Sequence, residues 1–194
     1  MNKIARLLAA IVLFSVLSFT IVEPAIWKYD NDHAKLGFSI SHMTVTDVDG
    51  SFKNVEATIK SAKNDFTDAT AEMTAQVNSV DTDNEKRDTH LQSPDFFDAA
   101  KYPTIVFKST SFKKAADENA YIVTGNLTLH GVTKPVTLTA VAKTAVHPLT
   151  KKTIAGFKVT GKINRKDFGI SEQTPGAMLG EEVSIFANAE FIKD

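Results

Sequence analysis

Cysteine is absent from the 194 residues. That single absence removes disulfides, thiolate metal sites and cysteine nucleophiles together. It also rules out tethering through a lipid-modified N-terminal cysteine. An excess of one charge sign is missing too, with 22 basic against 23 acidic side chains. Setting aside Lys3, Arg6 and Glu23 leaves 20 against 22, so no basic stripe and no electrostatic footprint for nucleic acid are expected. No Gly-x-Ser-x-Gly elbow and no phosphate loop occurs, which leaves serine hydrolases and nucleotide enzymes without support. Long apolar runs are confined to one, Leu7 to Val22. Its 16 residues fall just short of the roughly 17 to 25 that a membrane helix needs.

Lys3 and Arg6 precede that run, and Glu23 and Pro24 close it. This is the layout of a secretory signal peptide. Residues 1–25 are therefore expected to be a signal segment, although Glu23 stands where a small residue is preferred before Ala25, so the cleavage point is not marked. Residues 26–194 form one domain, periplasmic or otherwise secreted, with no stable membrane span once the signal is removed. A homodimer is left open.

What the domain has in quantity is alternation. Leu36, Phe38 and Ile40 alternate with polar neighbours, as do Ala69, Ala71, Met73, Ala75 and Val77. Val136, Leu138, Ala140 and Ala142 repeat the pattern, Val159, Gly161 and Ile163 continue it, and Val183, Ile185, Ala187, Ala189 and Phe191 end it. Period-2 patterning of this kind belongs to strands with one buried face. Asp49-Gly50, Asn64-Asp65 and His147-Pro148 suit tight reversals, and Gly131 suits a hairpin corner. Pro135 cannot donate a ladder hydrogen bond and is expected at a strand start or edge. Thr82-Asp83-Asn84-Glu85 fits a capping box that opens a short helix running to about Leu91. Ser93-Pro94 signals a second short helix, which Pro103 limits. The plan is four strands, two short helices between residues 82 and 101, then four or five strands. It makes an all-β antiparallel barrel or sandwich.

Chemistry-bearing residues are sparse. The five histidines include no close pair at metal-ligand spacing, and no metal site or cofactor is expected. Asp81, Asp83 and Glu85 begin like a calcium loop, but Lys86 and Gln92 occupy the positions that need Gly and Glu. His42 extends the inward face of Leu36, Phe38 and Ile40, either as a hydrogen-bonded group at a barrel mouth or as a ligand contact. Arg87, Asp88 and His90 read as general acid–base equipment or as a solvated helix face. Phenylalanine supplies 13 of 17 aromatics. In a closed barrel, inner faces of Ala, Val, Gly and Phe can leave a dry elongated cavity, in which each buried methylene contributes roughly 0.8 kcal/mol.

Several segments together resemble the YceI-like, polyisoprenoid-binding family of exported bacterial proteins. They are Asp32-His33 with Gly37-Phe38 and His42; Gly50-Ser51-Phe52; Asn84 to Leu91 running into Ser93 to Asp98; Tyr102-Pro103 with Phe107-Lys108-Ser109; Gly125 to Thr133; and Arg165 to Gly169. The resemblance implies a lipocalin-like barrel of about eight strands around a long isoprenoid, quinone-like or amidated fatty chain, with no catalysis. One departure is Ala34, where the family usually has Ser.

The expected function is therefore binding, sequestering or transporting an apolar ligand in the cell envelope. Phe38, Ile40, Met73, Phe107 and Leu138 are the expected apolar lining. His42, Arg87 and Arg165 are expected at one mouth, holding the ligand's polar end; the alternative for the two arginines is surface ion pairing with Asp88 and Asp167. An enzyme acting on a lipid head group, using His42, Arg87, Asp88 and His90, and a barrel packed shut are the competing readings.

Overall fold

The computed structural model describes residues 23–194. Most of the expected signal segment, residues 1–22, lies outside the described residues. Strands form where alternation marks them: β1 (Ala25–His42), β2 (Thr46–Phe52), β3 (Val55–Ser61) and β4 (Thr70–Gln76). A two-residue β5 (Val80–Asp81) and the helix α1 (Glu85–Gln92) follow. The second half is β6 (Thr104–Lys114), β7 (Ala120–Leu129), β8 (Val132–Val146), β9 (Thr153–Asn164) and β10 (Leu179–Lys193).

Antiparallel pairing runs from β1 through β3, β4, β6, β7, β8 and β9 to β10, and β10 returns to β1. β2 and β3 share one flank of β1, against residues 36–42 and 25–28 respectively. The sheet thus closes into an eight-stave barrel, which removes the exposed edges of an open sheet. One slot remains: residues 29–35 of β1 meet no strand on the β2–β3 side, and the register with β10 slips between Asp30 and Ala34.

Alternate positions fill the interior. Ala75, Val77, Ala140, Ala155 and Phe191 are buried, and Met73, Leu138 and Val159 pack against them. One end of the barrel is stoppered by the β3–β4 connection. Phe66 from that loop lies between Trp27 and Phe157, with ring centroids 5.2 and 5.1 Å away. The Tyr121 hydroxyl donates to the Asp65 carbonyl at 2.8 Å and fixes the loop in place.

Three local expectations are corrected. Asp49-Gly50 is no turn, because Gly50 lies inside β2 opposite Phe38. A Cβ there would strike the Phe38 ring, so this glycine serves close approach rather than reversal. The reversal falls at Met43 and Thr44, both at positive φ. Thr82 is not the cap of α1; Asn84 is, accepting from the Arg87 N–H at 3.1 Å. The second helix does not form. Ser93 to Lys101 make successive turns instead, with Asp98 at φ 49° and the Phe97 N–H returning to the Leu91 carbonyl. Two other readings agree with the structure: His130 and Gly131 turn at positive φ between β7 and β8, and Pro135 lies ahead of Leu138, where the ladder with β9 begins.

Candidate ligand-binding site

The barrel interior holds two apolar lobes. The first, about 140 Å³, lies between Phe38, Ile40, Ile163 and Val183 on the staves and Leu91 of α1 with Phe97 of the turns that follow it. The second, about 150 Å³, lies between Phe107, Leu138, Val159 and Phe157. Each matches in size a cavity of about 150 Å³ that stays dry and accepts one benzene ring. Leu36, Met73, Leu127 and Ile185 line both lobes and form a waist between them. Met73 is the adaptable member, since an unbranched thioether changes rotamer more easily than Leu or Ile.

All five apolar candidates face this interior. Phe38 and Ile40 border the first lobe, Phe107 and Leu138 the second, and Met73 both. Alternation was the signal for each. Leu91, Phe96 and Phe97 also border the first lobe, yet no period-2 pattern marks them, because they arrive from the helix and its following turns. Glycines shape the walls as well: a Cβ on Gly161 would meet the Leu138 side chain.

The three polar candidates are engaged separately. His42 ends β1 on the exposed rim, just past a register slip between Ile40 and His42. Arg87 ties α1 to the barrel, its Nε donating to the Thr82 hydroxyl at 2.7 Å and Nη2 to the Thr82 carbonyl at 2.6 Å. Asp88 accepts from the Thr82 N–H at 2.9 Å and from its hydroxyl, so buried Thr82 is the fastening point of the helix. His90 packs edge-on against Phe96 and lies 3.2 Å from the Asp95 carboxylate.

Arg165 alone of the three borders a lobe, the first. It is 2 % exposed. Nε donates to Gly180, Nη1 to Ile170 and Ser171, and Nη2 to Thr174 and Leu179, all backbone carbonyls. Those bonds use all five N–H groups of a guanidinium. Burial lowers its pKa, with nearby Glu181 opposing, and arginine keeps its proton regardless. Among the described residues no carboxylate reaches ion-pair distance of Arg165 or of Arg87. The alternative ion pairs with Asp88 and Asp167 therefore do not form.

The slot beside β1 opens on a surface hollow bordered by Tyr29, Asn31, Lys53 and Asn54. Tyr29 and Val55 border both the hollow and the second lobe. Tyr29 thus stands between solvent and the interior, and partial burial raises its pKa. Among the described residues no cluster of three or more ligating side chains could hold a metal ion.

Residues 27–191 match the YceI-like domain family. Protein YceI of Salmonella newport is 37 % identical over 184 residues, covering 95 % of this chain and 94 % of the relative. The crystal structure of BcnA from Burkholderia cenocepacia superposes with a TM-score of 0.74 at 25 % identity, over 84 % of this chain and 98 % of the other. A polyisoprenoid binding domain from Saccharophagus degradans shares the fold, with a TM-score of 0.63 at 16 % identity, over 87 % and 98 % of the two chains.

Proposed function

The chain belongs to the YceI-like domain family, and on that premise we propose that the protein is a carrier of apolar small molecules, of isoprenoid or similar long-chain type, acting in the cell envelope. The observation that carries the reading is the pair of apolar lobes joined through a soft waist. Two isoprene-sized spaces in line suit a repeating branched chain, and rotation of Met73 would join them. The name of the Saccharophagus degradans domain, a polyisoprenoid binding domain, agrees with this ligand class. Export rests on the layout of residues 1–25.

The ligand's electron-rich end belongs, on this reading, in the first lobe. Arg165 supplies a buried positive charge there that makes no direct ion pair among the described residues, acting through its field because its N–H groups are already engaged. His42 and Arg87 lie on elements around that lobe and would meet a head group that extends outward. The protein acts by binding, without a catalytic residue. Organic extraction of the purified protein followed by mass spectrometry tests the carrier reading: recovery of a long-chain isoprenoid, quinone or amide is expected. Ligand-free protein that also fails to take up added polyprenols would overturn it. Turnover of a polyprenyl phosphate would replace it with the enzyme reading.

A further inference from the structure

The expectation of no basic stripe is corrected here, because the balanced total charge hides an uneven distribution. From Asn119 to Lys166 the chain has no aspartate or glutamate, but it has seven lysines and Arg165. This stretch makes three neighbouring staves, β7, β8 and β9, so one wall of the barrel bears charge of one sign. Lys162 and Lys166 reach Glu182 and Glu181 at 2.6 Å each. Lys134, Lys143, Lys151, Lys152 and Lys158 enter no ion pair among the described residues.

Large apolar side chains are exposed on the same wall. Leu149 is 85 % and Val146 62 % exposed at the β8–β9 turn, and Ile122 on β7 is exposed as well. A single exposed leucine needs no explanation. This one is held outward by an ordered turn: the His147 ring nitrogen accepts from the Leu149 and Thr150 N–H groups at 3.2 and 3.1 Å. The His147 N–H also donates to the Lys152 carbonyl at 2.8 Å. Lys143 and Lys158 stand behind the tip, two rungs apart on β8 and β9. The nearest acids are Asp30 and Glu190, which border one surface hollow with His147, Thr150 and Lys152 without reaching ion-pair distance of a lysine of this wall, and Asp117 and Glu118 lie in the β6–β7 connection.

An apolar tip backed by unpaired lysines is the composition that partitions into the interface of an anionic bilayer. We infer that the β8–β9 turn, with Val146 and Leu149 inserted and Lys143, Lys151, Lys152 and Lys158 against the head groups, docks this protein onto a negatively charged lipid surface. The start of β1 shares this end of the barrel. Lys28 pairs with Ile192, Ile192 with Ile154, and Ile154 with Ala145, so Ala25 and the β8–β9 turn lie at one end of the barrel. The inference goes beyond the carrier reading and stands without it.

The absence of native cysteine permits a single label. Leu149→Cys carrying an environment-sensitive fluorophore should shift to the blue with vesicles of equal phosphatidylglycerol and phosphatidylcholine. It should not shift with phosphatidylcholine alone, and salt should weaken the response. The same label at Glu56→Cys, on the opposite wall, should stay unchanged. Each of the four lysines replaced by glutamine should weaken the Leu149→Cys response about fivefold. No shift with anionic vesicles, an equal shift at both labels, insensitivity to the lysine substitutions, or an equal shift on adding single-stranded DNA in place of vesicles would overturn the inference. Membrane attachment through residues 1–22 would not depend on the four lysines, so the lysine substitutions distinguish it from docking by the tip.

Discussion

Replacing Arg165 with methionine keeps an unbranched apolar stem while deleting five hydrogen-bond donors at once. The carbonyls of Ile170, Ser171, Thr174, Leu179 and Gly180 then lose their partner. Bonds from a charged donor contribute about 1.5–3 kcal/mol each, but their plain sum would rival the whole stability of a domain. Two effects reduce it. Ile170 is the one fully buried acceptor residue of the five, so the other carbonyls regain water, and the variant no longer desolvates a cation. A loss of about 3 kcal/mol is expected, which for a chain of this size lowers Tm by about 6–12 °C. The loss should be local first. Hydrogen exchange of amides 169–180 should rise before that of β6 or β7, because one guanidinium organises the whole β9–β10 connection. Arg165→Lys, with a point charge and at most three donors, should fall between parent and methionine variant. A methionine variant within about 1 kcal/mol of the parent, with unchanged exchange at 169–180, would refute the reasoning.

Met73→Trp should wedge the waist: binding of a five-carbon isoprenoid should persist, while a chain spanning both lobes loses at least two buried methylenes and so about tenfold in affinity, as titration with each ligand would show. Phe38→Asp should abolish lipid co-purification, because a carboxylate at the first lobe must give up its hydration; normal ligand recovery from a folded variant would contradict this. Acid should loosen the stopper at the β3–β4 loop. The Thr67 hydroxyl and N–H, with Lys114, hold Asp65 down from 3.8 to about 2, so its contribution is present above pH 3.8 and lost as pH falls through about 2. Trp27, the lone tryptophan, packs on Phe66, and its fluorescence should stay constant down to about pH 4 and change below it.

The interior was legible in the sequence because a strand's inward face is written at period two and needs no knowledge of neighbours. The inward direction of Met73, Leu138 and Ile185 follows from that rule alone. Features decided across strands were not legible. Asp49-Gly50 has local turn chemistry, but the residue that requires glycine is Phe38, twelve positions earlier and one strand away. Thr82 and Glu85 satisfy the pattern of a capping box, yet the Thr82 hydroxyl is taken by Asp88 and Arg87, leaving Asn84 to cap. The partners of Arg165 lie five to fifteen residues downstream, on the β9–β10 connection and the first two residues of β10, where there is no periodicity to read. The acid-free stretch was visible in the sequence, but its meaning depends on β7, β8 and β9 being neighbours.

The seam between β1 and β10 bears on how the chain reaches this state. Trp27 pairs with Lys193, so the last ladder to close joins residues 166 positions apart. Such contacts return nothing until nearly the whole chain is in place, and topologies dominated by them fold slowly. With no disulfide available to hold the two ends together, closure relies on side-chain packing along the seam. Until then the apolar faces of every stave stay open to wrong partners. A chain released before β10 is complete would be a curled sheet with two sticky edges. Loss of the final residues should therefore show first as aggregation during synthesis rather than as a weakened folded barrel.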